Sequence, residues 1–115
     1  MTNSDRLENL TERIIQFRDD RDWKQFHDPK NLAISLQLEA SEVLELFQWT
    51  KDNEIKNGKE EEIADELSDV FYWVIMLAHY YKIDLIGALE KKMYKNEVKY
   101  PVEKAKGKAD KYTEL

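Results

Sequence analysis

Apolar residues recur at helical spacing along most of this chain. Leu7, Leu10, Ile14 and Phe17 are 3, 4 and 3 residues apart, which lines one narrow stripe of a helix over about 5–21, capped by Asn3 or Ser4. Leu32, Leu36, Ala40, Val43 and Phe47, with Leu44 at the edge, predict a second helix over about 30–49. A third is predicted over about 59–81, with Ile63, Leu67, Val70, Phe71, Val74, Leu77, Ala78 and Tyr81 on its core face. Trp73, Ile75, Met76 and Tyr80 fall on its other sides, so after Asp69 this helix is apolar nearly all round. Four helices of this length do not cover such a surface alone. Self-association through this region is therefore expected, with a symmetric dimer as its minimum. Asp84 suits the N-cap of a fourth helix over about 85–99, with Ile86, Leu89, Met93 and Tyr100 in its stripe and Pro101 as its stop. The fold class is all-α, with one domain over 1–101 and a flexible lysine-rich tail over 102–115.

The connections differ in character. Trp23 to Lys30 is a loop with two aromatics and a histidine, ending near a proline that suits a helix start. Large aromatics in a polar loop either fold down over the core or form a stacking surface for a planar ligand, and the pattern leaves both open. His27 alone is weak evidence for chemistry. Residues 51–58 form a polar connection rich in turn formers. On the fourth helix Asn96 falls in the apolar stripe and needs a partner, structural or ligand. Lys92, Asn96 and Lys99 follow at i, i+4 and i+7, and a solvated face with packed stems is the plain reading of the two lysines.

Composition narrows the function classes. The chain has 115 residues, enough for one real core, and no cysteine, which excludes disulfides, thiolate metal sites and a Cys nucleophile. No secretory h-region or membrane-length apolar run is evident, so a cytoplasmic location and no membrane partner are expected. Of the net charge of −6, the stretch 39–69 carries eleven Asp and Glu against Lys51, Lys56 and Lys59. That acidity disfavours nucleic acid as a partner, but it admits a phosphorylated small molecule bridged by metal ions.

Two acidic pairs stand out, Glu39-x-x-Glu42 and Glu66-x-x-Asp69. Spacing of i, i+3 puts each pair on one side of its helix. At roughly 100° per residue, Glu39 projects between Leu46 and Leu32, close to Val43, and Glu66 projects between Leu77 and Trp73. Carboxylates beside a core are costly unless paired or metal-bound, and four of them cannot neutralise one another. A hard divalent cation, Mg²⁺ or Mn²⁺, resolves the conflict. Solvated acidic edges paired with lysine remain the plain alternative. A di-iron carboxylate bundle would need Glu-x-x-His on two helices, and neither His27 nor His79 has a Glu three residues before it. No glycine-rich phosphate loop is present.

The acidic signature with its 23 intervening residues resembles that of the MazG-like all-α NTP pyrophosphohydrolases. The likeness extends over Phe17 to Asn31, Glu45 to Trp49, Glu66 to Val70, Lys92-Met93 with Asn96, Tyr100-Pro101 and Lys111 to Leu115. It is nearest to the dCTP-hydrolysing branch and covers about residues 14–115. The resemblance implies a four-helix bundle-like core, assembled as a dimer or as a dimer of dimers (a homotetramer). It implies Mg²⁺-dependent cleavage of a deoxynucleoside triphosphate, dCTP or modified dCTP first, into monophosphate and pyrophosphate, in nucleotide-pool house-cleaning. Glu39, Glu42, Glu66 and Asp69 would be the metal ligands and catalytic groups. Trp23, His27, Trp49, Trp73 and Asn96 match base and sugar positions, and Lys92 and Lys99 would face the phosphates. Lys99 stands where the family often has Arg, and Trp73 stands where the relative has Tyr. A broader NTP pyrophosphohydrolase and a catalytically silent nucleotide-binding module are the alternatives.

Overall fold

With three glycines and two prolines in the chain, little interrupts the helical runs. A computed structural model describes residues 2–51 and 60–115. Among the described residues there are five α-helices and no strand: α1 (Asn3–Asp20), α2 (Pro29–Glu45), α3 (Glu60–Tyr80), α4 (Leu85–Lys99) and the short α5 (Val102–Ala105). The all-α expectation holds. The first three helices belong to one unit, Met1–Lys82, and the last two to another, Ile83–Leu115.

In the first unit, α1 starts earlier than expected. Its cap is Thr2, not Asn3 or Ser4: the Asp5 N–H donates to Thr2 Oγ1 at 3.0 Å and the Thr2 N–H donates to Asp5 Oδ2 at 3.1 Å. An acidic residue three positions after Thr2 closes this reciprocal box. The inward face is also turned from the expected stripe. Ile14 and Arg18 are buried, Leu7 and Thr11 half-buried, whereas Leu10 and Phe17 are exposed. Arg18 can occupy a core-facing position because its stem is apolar and its Nε and Nη2 both reach Asp19 Oδ1 at 2.8 Å.

Asp28 caps α2, accepting from the Asn31 N–H at 2.8 Å, and Pro29 occupies the first turn, where its missing N–H costs nothing. Helix α2 stops at Glu45, ahead of the expected 49, and tight turns carry the chain through Trp49. Its inward seam is Leu32, Leu36, Glu39, Val43 and Leu46, a 4-3-4-3 spacing with a carboxylate in the middle. Ala40 and Phe47, expected in the core, are exposed.

Helix α3 packs chiefly on α2 and to a lesser extent on α1. Ile75 and Met76, each 2% exposed, and Ala78 are its buried residues, while Leu67, Phe71 and Tyr81 are exposed. The covered face is shifted from the expected one: Ala78 is buried and Ile63, Val70, Val74 and Leu77 half-buried as expected, but Ile75 and Met76 are covered in place of Leu67, Phe71 and Tyr81. A helix apolar on nearly every side carries no periodic cue, so the partner decides which side is covered. Leu32, Ile75 and Met76 are the deepest side chains of this unit, and burying each contributes about 1.5–3 kcal/mol. The connection expected at 51–58 lies, apart from Lys51, outside the described residues.

In the second unit, α4 runs over the expected residues. Its cap is Asp84, which accepts from the Gly87 N–H at 3.2 Å. Pro101 ends it, and α5 follows. The lysine-rich segment then turns at Gly107 (φ 76°) and closes in a 3₁₀ turn, Tyr112–Glu114. There the Tyr112 ring meets Tyr100 edge-on at 6.0 Å, with the Lys99 ammonium 4.9 Å from its centroid. No described helix is long and apolar enough to cross a membrane.

Candidate metal centre

The seams of α2 and α3 face each other, and each contains a carboxylate. Glu39 on α2 and Glu66 on α3 are half-buried, while Glu42 and Asp69, one turn further along each helix, are exposed. One oxygen from each of the four can be chosen so that all lie within 4.8 Å of one another. Two helices thus supply one inner and one outer carboxylate each, as the i, i+3 spacing required.

Among the described residues no lysine or arginine forms an ion pair with any of the four; Arg18 is engaged with Asp19 instead. Glu39 Oε2 and Glu66 Oε2 are buried and accept no hydrogen bond. A buried acceptor without a donor carries its full desolvation cost. The group titrates accordingly. Burial, hydrogen bonding to Glu42 and the charges of Glu42 and Asp69 hold the Glu39 carboxyl above its ordinary value, while a hydrogen bond from the Trp73 side chain pulls the other way. Glu66 is pushed up to about 7, first by hydrogen bonding to Glu42, then by burial and by the charges of Glu42, Asp69 and Glu39. Orphaned oxygens and mutually raised carboxyl pKa values are both what an oxygen-coordinated divalent cation would relieve, so the donor set fits such an ion.

Beside the carboxylates lies a run of edge-to-face aromatic contacts. Trp23 meets Phe17 at 5.7 Å, Phe17 meets Tyr72 at 6.5 Å, Tyr72 meets Trp73 at 5.0 Å, and Trp73 meets His27 at 5.4 Å. The Trp23–Lys30 loop is therefore folded down through these rings, with a 3₁₀ turn at Lys24–Phe26. Burial, then the Arg18 charge, lowers the His27 pKa, and its buried Nδ1 accepts no bond. Burial raises the Tyr72 hydroxyl, with Arg18 and Arg21 opposing. The Arg21 guanidinium covers the Phe17 ring at 3.7 Å.

Of the eleven residues singled out from sequence, the four carboxylates converge, and Trp23, His27 and Trp73 share one aromatic run. Trp49 stands apart from that run, 88% exposed and with a positive φ of 66°. Lys92, Asn96 and Lys99 lie on α4 in the second unit, at helical spacing along one side. Sequence reasoning missed Arg18 and Tyr72. A signal for Tyr72 existed, since it adjoins Trp73 on a helix apolar all round, but nothing marked Arg18 as a buried residue.

A model of the MazG-like family matches residues 34–115, which include all four carboxylates. The chain is 39% identical over 114 residues to dCTP pyrophosphatase 1 of Rattus norvegicus, spanning 95% of this chain and 67% of that protein. It is 38% identical to dCTP pyrophosphatase 1 of Homo sapiens over the same shares. It is also similar to the crystal structure of a pyrophosphatase from Archaeoglobus fulgidus, with a TM-score of 0.79 and 39% identity over 84% of this chain and 93% of that one.

Proposed function

This chain belongs to the MazG-like family and is a nucleoside triphosphate pyrophosphohydrolase, and we propose that it works with Mg²⁺ held by Glu39, Glu42, Glu66 and Asp69, on dCTP and cytosine-modified dCTP before other nucleotides. The observation that carries the metal reading is the convergence of four carboxylates, with no basic partner among the described residues and two orphaned buried oxygens. The ion, when bound, would neutralise polyphosphate charge and make a bound water more acidic. Mn²⁺ suits the same oxygen donors.

The reaction adds water at the α-phosphorus and breaks the bond to the bridging oxygen, releasing monophosphate and pyrophosphate. Exposed Glu42 and Asp69 face the side from which a polyphosphate can arrive, and half-buried Glu39 and Glu66 form the floor. One oxygen of each of the four carboxylates lies within 4.8 Å of the others, so the set could hold one ion and face the water bound to it. Trp23, His27 and Trp73 supply a base-sized aromatic surface, His27 being held neutral by burial and by Arg18. Trp49 and Asn96 are proposed as further base and sugar contacts, and Lys92 and Lys99 as phosphate contacts, on the resemblance of their positions.

Assembly as a dimer or a dimer of dimers is supported by large apolar side chains left exposed in the single chain, Leu67 and Phe71 on α3 and Ile34 and Leu38 on α2. Consumption of free deoxynucleotides supports a cytoplasmic role in cleaning the nucleotide pool.

The test is a panel of canonical and cytosine-modified dNTPs with and without Mg²⁺, products separated by ion exchange. Monophosphate plus pyrophosphate, formed only with metal and fastest from dCTP or its modified forms, is the expected outcome. Glu39→Gln and Glu66→Gln should each abolish turnover with helicity intact. Unchanged turnover in both variants would remove the site assignment, and nucleotide binding without turnover would indicate a silent module.

A further inference from the structure

Phe17 is 42% exposed and Trp23 41%, so neither ring is held in place by burial. The Trp23 backbone is anchored on both sides. Its N–H donates to the Arg18 carbonyl in the last turn of α1 at 3.1 Å, and its own carbonyl accepts from the Phe26 N–H at 2.9 Å. Just before it the chain turns at Asp22, whose φ of 56° an Asp tolerates. Gln25 closes that turn, its Nε2 donating to the Asp22 carbonyl at 3.0 Å and to Asp22 Oδ2 at 3.1 Å. These bonds fix where the Trp23 side chain starts but not where the indole lies. Among the described residues the aromatic ring set against the indole is Phe17, edge-on at 5.7 Å.

Phe17 is in turn braced by Arg21, the first residue after α1. The Arg21 guanidinium covers the Phe17 ring at 3.7 Å, its Nη1 donates to the Phe17 carbonyl at 3.0 Å, and it lies 5.9 Å from the Trp23 ring. On α3, Tyr72 meets Phe17 edge-on at 6.5 Å. Arginine on the last carbonyls of a helix is a common cap, but a cap needs no ring beneath the guanidinium. We propose that Arg21 is a positioning residue for the nucleobase: tied to the Phe17 carbonyl and laid over the Phe17 ring, it fixes the ring against which the Trp23 indole is oriented. The proposal deepens the reading of Trp23 as a base contact and rests on it. The property used is planarity. A guanidinium covers a ring and donates from its edge at once, which the point charge of a lysine on its flexible stem does not. An indole no longer held in advance has to be ordered when the base binds, which weakens binding about two- to tenfold. That loss falls on the base and leaves the phosphates alone.

The experiment uses the full chain with Mg²⁺ and dCTP. Arg21→Ala, Arg21→Lys, Trp23→Ala and the double variant Arg21→Ala/Trp23→Ala are compared with the parent for kcat, for KM and for inhibition by dCMP and by pyrophosphate. Melting temperature checks the fold, and Arg21→Lys carries the test should Arg21→Ala not fold. The expected result is KM for dCTP and the dCMP inhibition constant both raised about two- to tenfold in Arg21→Ala and in Arg21→Lys, with kcat and pyrophosphate inhibition close to the parent. Trp23→Ala should raise the same two constants about fivefold or more, and Arg21→Ala should add nothing on top of it. Parent-like constants in both Arg21 variants, with Trp23→Ala impaired, overturn the proposal and leave Trp23 as a base contact. Full rescue by Arg21→Lys overturns it, since charge alone would then suffice. Equal weakening of dCMP and pyrophosphate, or an undiminished effect of Arg21→Ala on top of Trp23→Ala, also overturns it, since a loosened α1 would then account for the loss. If Trp23→Ala binds dCTP and dCMP like the parent, the base-contact reading of Trp23 falls and this proposal with it.

Discussion

Adding a divalent cation to the metal-free protein should expel a proton, and the amount should depend steeply on pH. Glu66 is pushed up to about 7 by its hydrogen bond to Glu42, by burial and by three neighbouring carboxylates. Ligation needs the ionised form. A group titrating at about 7 releases about 0.9 of a proton at pH 6, about half at pH 7 and about 0.1 at pH 8. Glu39, also held above its ordinary value, adds to the release at the acid end. Calorimetric titration of Mn²⁺ in buffers of different ionisation enthalpy gives the proton count as a slope. The same shift fixes the sign of the apo stability. Folded Glu66 binds a proton more tightly than the ordinary carboxyl at 4.5, so its contribution is fully present below about 4.5 and is lost as pH rises through about 7. The metal-free melting temperature should therefore fall between pH 5 and 8, and Glu66→Gln, which cannot ionise, should flatten that fall. A slope of zero at pH 6, or an apo melting curve with the same pH dependence in parent and variant, would refute the electrostatic account of the cluster.

Leu32, 1% exposed and the first member of the α2 seam, should cost about 2–5 kcal/mol as Leu32→Ala, read by urea denaturation. Asp84→Ala should cost about 1 kcal/mol through the lost α4 cap. Gly87→Ala should cost a similar amount by the same route, since a Cβ there would stand 2.5 Å from Asp84 Oδ2, and the double variant should cost little more than either single one. Trp49→Gly removes a bulky residue from a left-handed backbone worth about 1–2 kcal/mol of strain, so melting should be no lower while KM for dCTP rises. An unchanged KM would exclude Trp49 from the substrate contacts.

What was legible in the sequence was what depends on one helix at a time. The α4 limits follow from Asp84 and Pro101, which act on the backbone beside them. The inward turn of Glu39 and Glu66 follows from spacing alone, because a residue's angle on a helix is fixed by its neighbours. The covered face of α3 was legible only in part, because Leu67 and Phe71 are as apolar as Ile75 and Met76 and only the packing of α2 distinguishes them. The cap of α1 was misplaced because Thr2, Asn3 and Ser4 are all good caps, and the choice turns on where Asp5 falls in the first turn.

Arg18 and Glu39 break the same local rule, a charge on an inward face, yet only Glu39 was found from the sequence. The difference lies in what surrounds each. Glu39 interrupts a seam whose other members, Leu32, Leu36, Val43 and Leu46, are all apolar, so the violation is visible against a regular background. Arg18 ends a helix amid Asp19, Asp20 and Arg21, where one more charge looks like solvent. Its role emerges only when Tyr72 and His27 are brought near it by α3 and the folded loop. The two violations are complementary. Burial and then the Arg18 charge hold the His27 pKa down, while four carboxylates without a basic partner among the described residues offer a place for a metal. Trp73 stands where the two meet, and a Leu at Glu39 or Glu66 would pack the α2–α3 seam better at the cost of the only feature that makes this helix pair a site.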